Sequence, residues 1–353
     1  MLRIAQIAPL YESVPPKLYG GTERVVAYLT DELMNQGHHV TLFASGDSTT
    51  KARLIPICDR ALRLSNPLDP LAYHILQLQE VFERIDEFDI LHFHTDYLHF
   101  PFSYNRDVTT ITTLHGRLDI EDLVPIYKKF REIPVVSISN AQREPLPIAN
   151  WIGTVQHGLP ADLYHQGEGK GNYVVFLGRI SPEKRVDRAI EIARQAGVDI
   201  KIGAKIDKAD QSYYDKEMKH LFSQPHVDFL GEVGESEKTE LLQNAIALLF
   251  PIDWREPFGM VLIEALACAT PVIAFNRGSV PEIISNGKTG YIVENISEAV
   301  AALQRIREIS RDECRKTFEN RFSATIMAKN YLRLYEMLVH PEKKRLSAIS
   351  SNE

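Results

Sequence analysis

Apolar and polar positions along the chain fall into two successive series of the same rhythm. In the first, RIAQIAP (3–9) is a short apolar run, and TERVVAYLTDELMNQG (22–37) carries the three-to-four spacing of a helix ended by Gly37. HVTLFA (39–44) reads as the next strand and LAYHILQLQEVFERI (71–85) as the next helix. DILHFH (89–94), TTITTLHG (109–116), IPVVSIS (133–139) and IGTVQHG (152–158) follow as strands. Near-continuous β-branched runs separated by helical patterns indicate parallel strands covered on both faces. The polar, glycine-rich HQGEGKGN (165–172) reads as a linker, after which YVVFLGRI (173–180) restarts the alternation. Helices are predicted over 183–196, 210–222, 235–244 and 259–269. They alternate with strands DIKIG (199–203), VDFLG (227–231), AIALLFP (245–251) and PVIAF (271–275). A last helix near 322–339 sets Ile326, Met327, Tyr331, Leu334, Tyr335 and Leu338 on one packed face.

At 353 residues the chain is long for one core. The pattern predicts an α/β protein of two doubly wound, Rossmann-like domains facing across a cleft: residues 1–163, joined by a final helix at 322–340, and residues 164–321, with 341–353 as a flexible tail. Ligands in such sheets sit at the carboxyl ends of strands, so the loops there are the ones to search.

Charge removes several function classes. The net charge is −7 and the pI ≈ 6.0, and residues 1–162 hold 14 Lys plus Arg against 20 Asp plus Glu. No nucleic-acid partner is expected, and contact with a membrane is expected to be peripheral at most, through runs such as YKKFR (127–131). Cys58, Cys268 and Cys314 are scattered, which suits a reducing cytoplasm and offers no thiolate metal site. The opening MLRIAQIAP is too short an apolar run for a signal peptide, and no stretch approaches a membrane span. A cytoplasmic protein, at most peripheral at the inner membrane face, is the expectation.

Three loops carry chemistry. LYGGTERVV (18–26) sets Gly20 and Gly21 at a helix start, where the backbone can approach a ligand and free amides face it. No GxGxxG and no Walker A sequence occurs. In GRISPEKRVDRAI (178–190), Arg179 leaves a strand end and Lys184 follows at a helix start, a fork and a point charge able to neutralise two phosphates. The third loop is EPFGMVLIE (256–264). Glu256 lies in the loop, Gly259 where a helix begins, and Glu264 on that helix, at most ~12 Å on by helical rise. That is roughly the reach of a nucleoside diphosphate sugar. Amides from Gly259 to Leu262 would take an oxyanion, and the carboxylates would accept paired hydroxyls. His92, His94 and Asp96 invite a metal reading, but a histidine pair with no third ligand at defined spacing predicts no metal site.

Together, GGTER, TLHG, GRISPEK, FLGEV and EPFGMVLIEALACATPVIA resemble the retaining glycosyltransferases of family 4, which have the GT-B fold, over about residues 3–340. The resemblance matches at Gly20, Gly21, Arg179, Lys184, Glu256, Phe258, Gly259 and Glu264. It implies that Arg179 and Lys184 bind the donor diphosphate and stabilise it as it leaves. It implies too that Glu256 holds donor-sugar hydroxyls, that Glu264 holds the ribose, and that the backbone of Phe258, Gly259, Met260, Val261 and Leu262 helps bind phosphate. Val233 would lie against the base, and His115 in TLHG near donor sugar and acceptor. Asp96 and Tyr97 are candidates for the acceptor side. The hinge departs from the family's N-G-V-D type sequence, reading QHGLPAD (156–162) with His157 in place of Asn.

The expected reaction is transfer of a sugar from a nucleotide, UDP favoured and GDP possible, to an acceptor hydroxyl with retention of configuration. The acceptor would belong to cell-surface polysaccharide, glycolipid or glycoconjugate synthesis, and no cofactor or metal is expected. The alternatives are a sugar-nucleotide epimerase or hydrolase of the same fold, or an inactive nucleotide-sugar-binding regulatory subunit. The joint presence of His115, Arg179, Lys184, Glu256 and Glu264 favours transfer.

Overall fold

The computed structural model describes residues 1–17 and 20–340; Leu18 and Tyr19 of the glycine loop and the tail expected over 341–353 lie outside the described residues. The chain divides into two units, one formed by Met1–Gly158 and the segment from Ala324 onward, the other by Leu159–Ser323.

In the first unit the described strands are β1 (Arg3–Ile7), β2 (His39–Ala44), β3 (Arg53–Pro56), β4 (Ile90–Phe93), β5 (Thr110–Thr113), β6 (Pro134–Ser137) and β7 (Asn150–Thr154). They form one sheet, all parallel, in the order β3-β2-β1-β4-β5-β6-β7. Central strands are covered on both faces: Ile4, Ala5, Ile7, Leu91 and Phe93, and with them the polar Gln6 and His92, have no exposure. Helix α1 (Gly21–Asn35) turns Val25, Val26, Leu29 and Leu33 inward and stops where Gly37 takes φ +86. Helix α2 (Pro70–Phe82) begins where the Asp69 side chain accepts the Leu71 amide at 3.0 Å and Pro70 fills the first turn.

The C-terminal helix, Ala324–Val339, packs on α1. Its buried face is Ala324, Met327, Ala328, Tyr331 and Tyr335, and Leu334 lies against Gly153, where a β-carbon would sit 3.1 Å from it. Gly153 thus makes room for the helix.

The second unit contains β8 (Tyr173–Arg179), α3 (Val186–Ala196), β9 (Asp199–Lys205), β10 (Val227–Gly231), α4 (Glu235–Asn244), β11 (Ala247–Phe250), α5 (Met260–Ala267), β12 (Val272–Phe275), β13 (Gly290–Val293), α6 (Ile296–Gln304) and α7 (Arg311–Arg321). Its strands are again parallel, in the order β10-β9-β8-β11-β12-β13. Strand order reverses between β1 and β4 in one sheet and between β8 and β11 in the other. These are the positions where loops leave neighbouring strands toward opposite sides and open a crevice.

The structure corrects four expectations. The stretch 165–172 is not a linker but part of the second unit. Gly167, Gly169 and Gly171 donate their amides to the carbonyls of Cys268, Gln243 and Asn244 at 3.0, 3.0 and 2.8 Å. A β-carbon at Gly167 would lie 2.2 Å from the Gln243 oxygen, so the glycines serve close packing rather than flexibility. The helix expected over 210–222 breaks into a 3₁₀ turn, one α-turn, a π-helical stretch at Tyr214–Met218 and a second 3₁₀ turn. The widened turn lets both Tyr214 and Phe222 reach Phe229, at ring separations of 6.4 and 4.6 Å. The helix expected from 183 starts at Val186, because Arg185 takes φ 53 and 181–185 form a turn. Finally β3, β13, α6 and α7 were not foreseen; the two strands lie at the edges of their sheets and are only partly buried, so neither shows the continuous apolar run of a central strand.

Arg311 fastens the 165–172 stretch. Its guanidinium donates to the carbonyls of Gly167 (2.9 Å), Ala245 (3.0 Å) and Gln243 (3.1 Å) and to the Thr270 hydroxyl (2.9 Å). Replacing it by methionine keeps much of the volume and removes every donor. We expect Arg311→Met to lower stability by about 3 kcal/mol, since the Gly167 and Ala245 carbonyls lose their donor at once while Gln243 keeps only that of Gly169; urea unfolding measures it, and an unchanged midpoint would refute the account.

Candidate active site

In the second unit, β8 and β11 are neighbours, and the loops that leave their carboxyl ends meet. Arg179 is the last residue of β8, and the turn that follows closes with the Lys184 amide donating to the Ser181 carbonyl at 3.1 Å. From the loop after β11, the Asp253 amide donates to the Glu183 carbonyl at 2.9 Å, joining the two loops through their backbones. The Asp253 carboxylate also accepts from Arg185 at 3.2 Å and Arg188 at 2.8 Å. Burial pushes that carboxyl up, but Arg188 and the nearby Arg185 and Arg277 outweigh it and hold it below the usual range.

This junction brings Lys184 and Glu256 into a direct hydrogen-bonded ion pair. The Trp254 indole N–H donates to the same carboxylate oxygen, Oε2, at 3.0 Å, and the Lys184 ammonium lies 5.1 Å from the Trp254 ring centre and 5.8 Å from that of Phe250. Two aromatic faces therefore steady the cation while one carboxylate oxygen neutralises it. Among the described residues, both hydrogen bonds to the Glu256 carboxylate fall on Oε2. Gly278 makes the loop possible: with φ 54, a β-carbon there would come 2.4 Å from the Glu256 carbonyl oxygen. The Ser279 amide and hydroxyl then donate to the carbonyls of Glu256 (3.0 Å) and Phe258 (2.7 Å).

Gly259 caps α5 with φ 84, and no side chain caps that end; of the amides expected to take an oxyanion, that of Leu262 is already committed to the Gly259 carbonyl at 3.0 Å, which leaves those of Met260 and Val261 at the helix start without an intrahelical partner. Met260 and Val261 are half-buried, whereas Leu262 and Phe258 are buried, Phe258 against Phe322 at a ring separation of 6.4 Å. The Phe258 side chain is thus an anchor, and what it can offer a ligand is backbone. Glu264, one turn on, is only 6% exposed and accepts from Lys238 at 2.7 Å. Lys238 also pairs with Glu235 at 3.1 Å and lies 5.7 Å from the Tyr164 ring centre. The two glutamates therefore do not meet; each is held by a lysine of its own.

Arg179 is differently placed. It bonds Glu183 at 2.5 Å and lies 3.6 Å from Asp207 and 3.5 Å from Asp210. Val233 packs over Gly203, where a β-carbon would meet it at 2.8 Å. With Tyr173, Lys201, Leu230 and Glu232 it lines an open depression of ≈ 450 Å³.

In the first unit the candidates follow β1, β4 and β5. Gly20 precedes α1, and a β-carbon on it would lie 2.7 Å from Pro16, so close approach requires glycine there; Gly21 opens onto free space. Asp96, at φ 50, turns the chain after β4 and is exposed, while Tyr97 packs on the cluster around Phe100 and Leu114. His115, after β5, is joined to His94 through Nε2 at 2.8 Å and stacks on His157 at 5.2 Å. His94 bonds Gln6 at 2.7 Å and His92 bonds Tyr335 and Thr113 at 2.7 and 2.8 Å. Burial lowers all of these imidazoles, His115 to about 3. Among the described residues no group of three His, Cys, Asp or Glu is arranged to hold a metal, and no helix is long and apolar enough to cross a membrane.

Sequence reading missed Trp254, Asp253, Lys238, Gly278, Gln6 and His94's partnership with His115. Trp254 had a signal: it is one of 2 tryptophans and sits in the strand-end loop beside Glu256. The others signal nothing locally.

Comparison with known proteins agrees with this architecture. Residues 165–325 match the family model described as glycosyl transferases group 1, and residues 19–144 match that of glycosyltransferase family 4. An uncharacterized glycosyltransferase of Methanocaldococcus jannaschii is 27% identical over 193 residues, 52% of this chain and 53% of that protein. The chain spans about half the length of the curated relatives it matches. A glycosyltransferase involved in avilamycin A biosynthesis superimposes with a TM-score of 0.74 at 22% identity, over 96% of this chain and 98% of that one. An Anabaena protein solved with UDP and glucose gives 0.73 at 16% identity, over 96% and 100%. At these identities the shared property is the fold.

The buried histidines set an acid limit on the first unit. His92, His94, His99, His115 and His157 all have folded pKa values below that of the unfolded chain, His99 and His115 falling to about 3. Above ~6.5 neither state is protonated and the contribution is complete; as the pH falls from ~6.5 toward 3 the unfolded chain gains protons the folded one refuses. Each such histidine then removes up to about 1.4 kcal/mol per pH unit. We expect urea midpoints to drop between pH 7.5 and 5.5, and the slope to lessen in His99→Gln; a flat profile would contradict the burial of these rings.

Proposed function

We propose that this chain, which belongs to glycosyltransferase family 4 and has the GT-B fold, transfers a sugar from a nucleotide to an acceptor hydroxyl with retention of configuration. The observation that carries the reading is the Lys184–Glu256 pair, made by residues 72 apart in sequence at the junction of two strand-end loops, beside the uncapped start of α5. One group suits a phosphate and the other a sugar hydroxyl, and the amides of α5 suit a second phosphate oxygen.

In the proposed reaction the acceptor oxygen attacks the anomeric carbon on the face the diphosphate leaves. The bond from that carbon to the β-phosphate oxygen breaks as the new glycosidic bond forms, and the departing phosphate takes the acceptor's proton. Lys184, Arg179 and the start of α5 stabilise the growing negative charge, an effect worth several kcal/mol in a preorganised site. Arg179 would exchange part of its contact with Glu183 for the diphosphate. Glu256 holds donor-sugar hydroxyls, Glu264 the ribose and Val233 the base. In the first unit His115 meets a substrate hydroxyl, with Gly20 and Gly21 admitting the donor and Asp96 and Tyr97 on the acceptor side. A UDP-sugar is favoured because the Anabaena neighbour was solved with UDP and glucose. With this charge supplied by the chain, no metal is needed. A role in cell-surface polysaccharide or glycolipid synthesis, at the cytoplasmic face, fits the class of reaction.

The test is sugar transfer and release from UDP-, GDP- and ADP-sugars, with and without hydroxyl acceptors and with a chelator. We expect turnover with one donor, unaffected by chelation, and a fall of about 10²–10³ in kcat for Lys184→Ala and for Arg179→Ala with circular dichroism unchanged. Near wild-type rates in both variants would refute the assignment. Release without any acceptor dependence would favour a hydrolase, and nucleotide binding without turnover a regulatory subunit.

A further inference from the structure

The first unit buries a continuous chain of polar side chains that ends at the half-buried His115. From His115 Nε2 it runs to His94 Nδ1 (2.8 Å), from His94 Nε2 to Gln6 Oε1 (2.7 Å), and from Gln6 Nε2 to the Tyr335 hydroxyl (3.2 Å). Tyr335 meets His92 Nδ1 (2.7 Å), His92 Nε2 meets Thr113 (2.8 Å), and Thr113 meets Tyr331 (2.9 Å). Gln6, His92, Thr113, Tyr331 and Tyr335 have no exposure and His94 has 2%. At the other end the His115 residue is half-buried, while its Nδ1 is itself buried and has no hydrogen-bond partner in the fold, an acceptor left for a ligand to meet.

We infer that Gln6 and His94 are positioning residues that fix His115 in the tautomer with a bare Nδ1, making it a hydrogen-bond acceptor for a hydroxyl of the substrate.

Proton counting gives the direction. The Gln6 amide oxygen can only accept, so His94 Nε2 carries hydrogen. A neutral imidazole has one N–H, so His94 Nδ1 is an acceptor and His115 Nε2 must donate to it. His115, neutral in turn, has no hydrogen left for Nδ1. Burial keeps both rings uncharged, His115 falling to about 3. The other end agrees: Gln6 Nε2 donates to Tyr335, whose hydrogen goes to His92 Nδ1, leaving His92 Nε2–H for Thr113. Every bond in the chain has one donor and one acceptor. Reversing all of them together gives the other self-consistent polarity, in which His115 Nδ1 would donate, so the orientation of one amide, Gln6, decides the chemistry presented by His115. A bare, uncharged nitrogen repels phosphate and carboxylate oxygens and selects an O–H or N–H donor. The nature of that substrate rests on the glycosyl-transfer reading; the tautomer does not.

The experiment is long-range ¹H–¹⁵N correlation on the full chain with ¹⁵N-histidine, His115 being assigned by the signals lost in His115→Gln. We expect His115 in a single tautomer between pH 6 and 8, with Nδ1 unprotonated and Nε2 protonated. In Gln6→Leu we expect averaged or reversed nitrogen shifts for His115. Kinetically, Gln6→Leu should lower kcat roughly tenfold, the equivalent of one hydrogen bond to a hydroxyl, with little change in donor KM. A protonated Nδ1 in the wild-type protein would overturn the inference without any variant, and a His115 pattern unchanged in Gln6→Leu would overturn the part given to Gln6. If the tautomer is as stated but no donor turns over, the relay stands and the glycosyl-transfer reading fails.

Discussion

The candidate site depends on one topological fact: β8 and β11 lie side by side although α3, β9, β10 and α4 intervene in the chain. Because their connections leave toward opposite sides of the sheet, the loops at their carboxyl ends have nothing packed between them. Lys184 and Glu256 meet there and not through any local sequence logic. The remaining details of the region hold that meeting in place. The amide of Asp253 on the carbonyl of Glu183 sets the separation of the loops, and Gly278 accepts a left-handed backbone so that the 256 carbonyl can sit against it.

Electrostatically, each glutamate of the EPFGMVLIE stretch carries a lysine, Lys184 for Glu256 and Lys238 for Glu264, with side-chain exposures of 19, 11, 15 and 8%. Pairs this sheltered contribute little net stability, since desolvation offsets most of the attraction. In the proposed reaction their value is preorganisation. An ammonium already steadied by Trp254 and Phe250 needs no rearrangement to take a phosphate oxygen. A carboxylate with both present bonds on one oxygen can accept a hydroxyl without losing its partner. Arg179 differs because three carboxylates surround it, so its charge reaches a ligand only in competition with them.

The alternation of apolar runs made both sheets legible, and strands at 39–44 and 227–231 fall where the pattern placed them. The chemistry-bearing loops were legible because charged and glycine residues are conspicuous at strand ends. What was illegible depends on contacts distant in sequence. The glycines of 165–172 look like a flexible segment because sequence cannot reveal that Gln243–Ala245 and Arg311 close over them. Lys238 looks like any surface lysine of a polar helix until that helix is set beside Glu264. His92 on β4 and His94 just past its end, suggestive of metal, turn out to be committed to Thr113, Tyr335, Gln6 and His115.

That commitment explains why the chain returns to its first unit with its last helix. Without Tyr331 and Tyr335, the inner ends of Gln6, His92 and Thr113 would face apolar groups with their hydrogen-bonding capacity unmet, at about 1–3 kcal/mol each. With them, a row of polar side chains is satisfied beside the buried Ile, Val, Leu, Phe and Ala of the core, which is the condition under which a buried network specifies one arrangement. Gly153, which admits Leu334, and the tyrosines, which complete the row, therefore serve one end: holding the C-terminal helix in a single register so that His115, at the far end, presents a defined nitrogen.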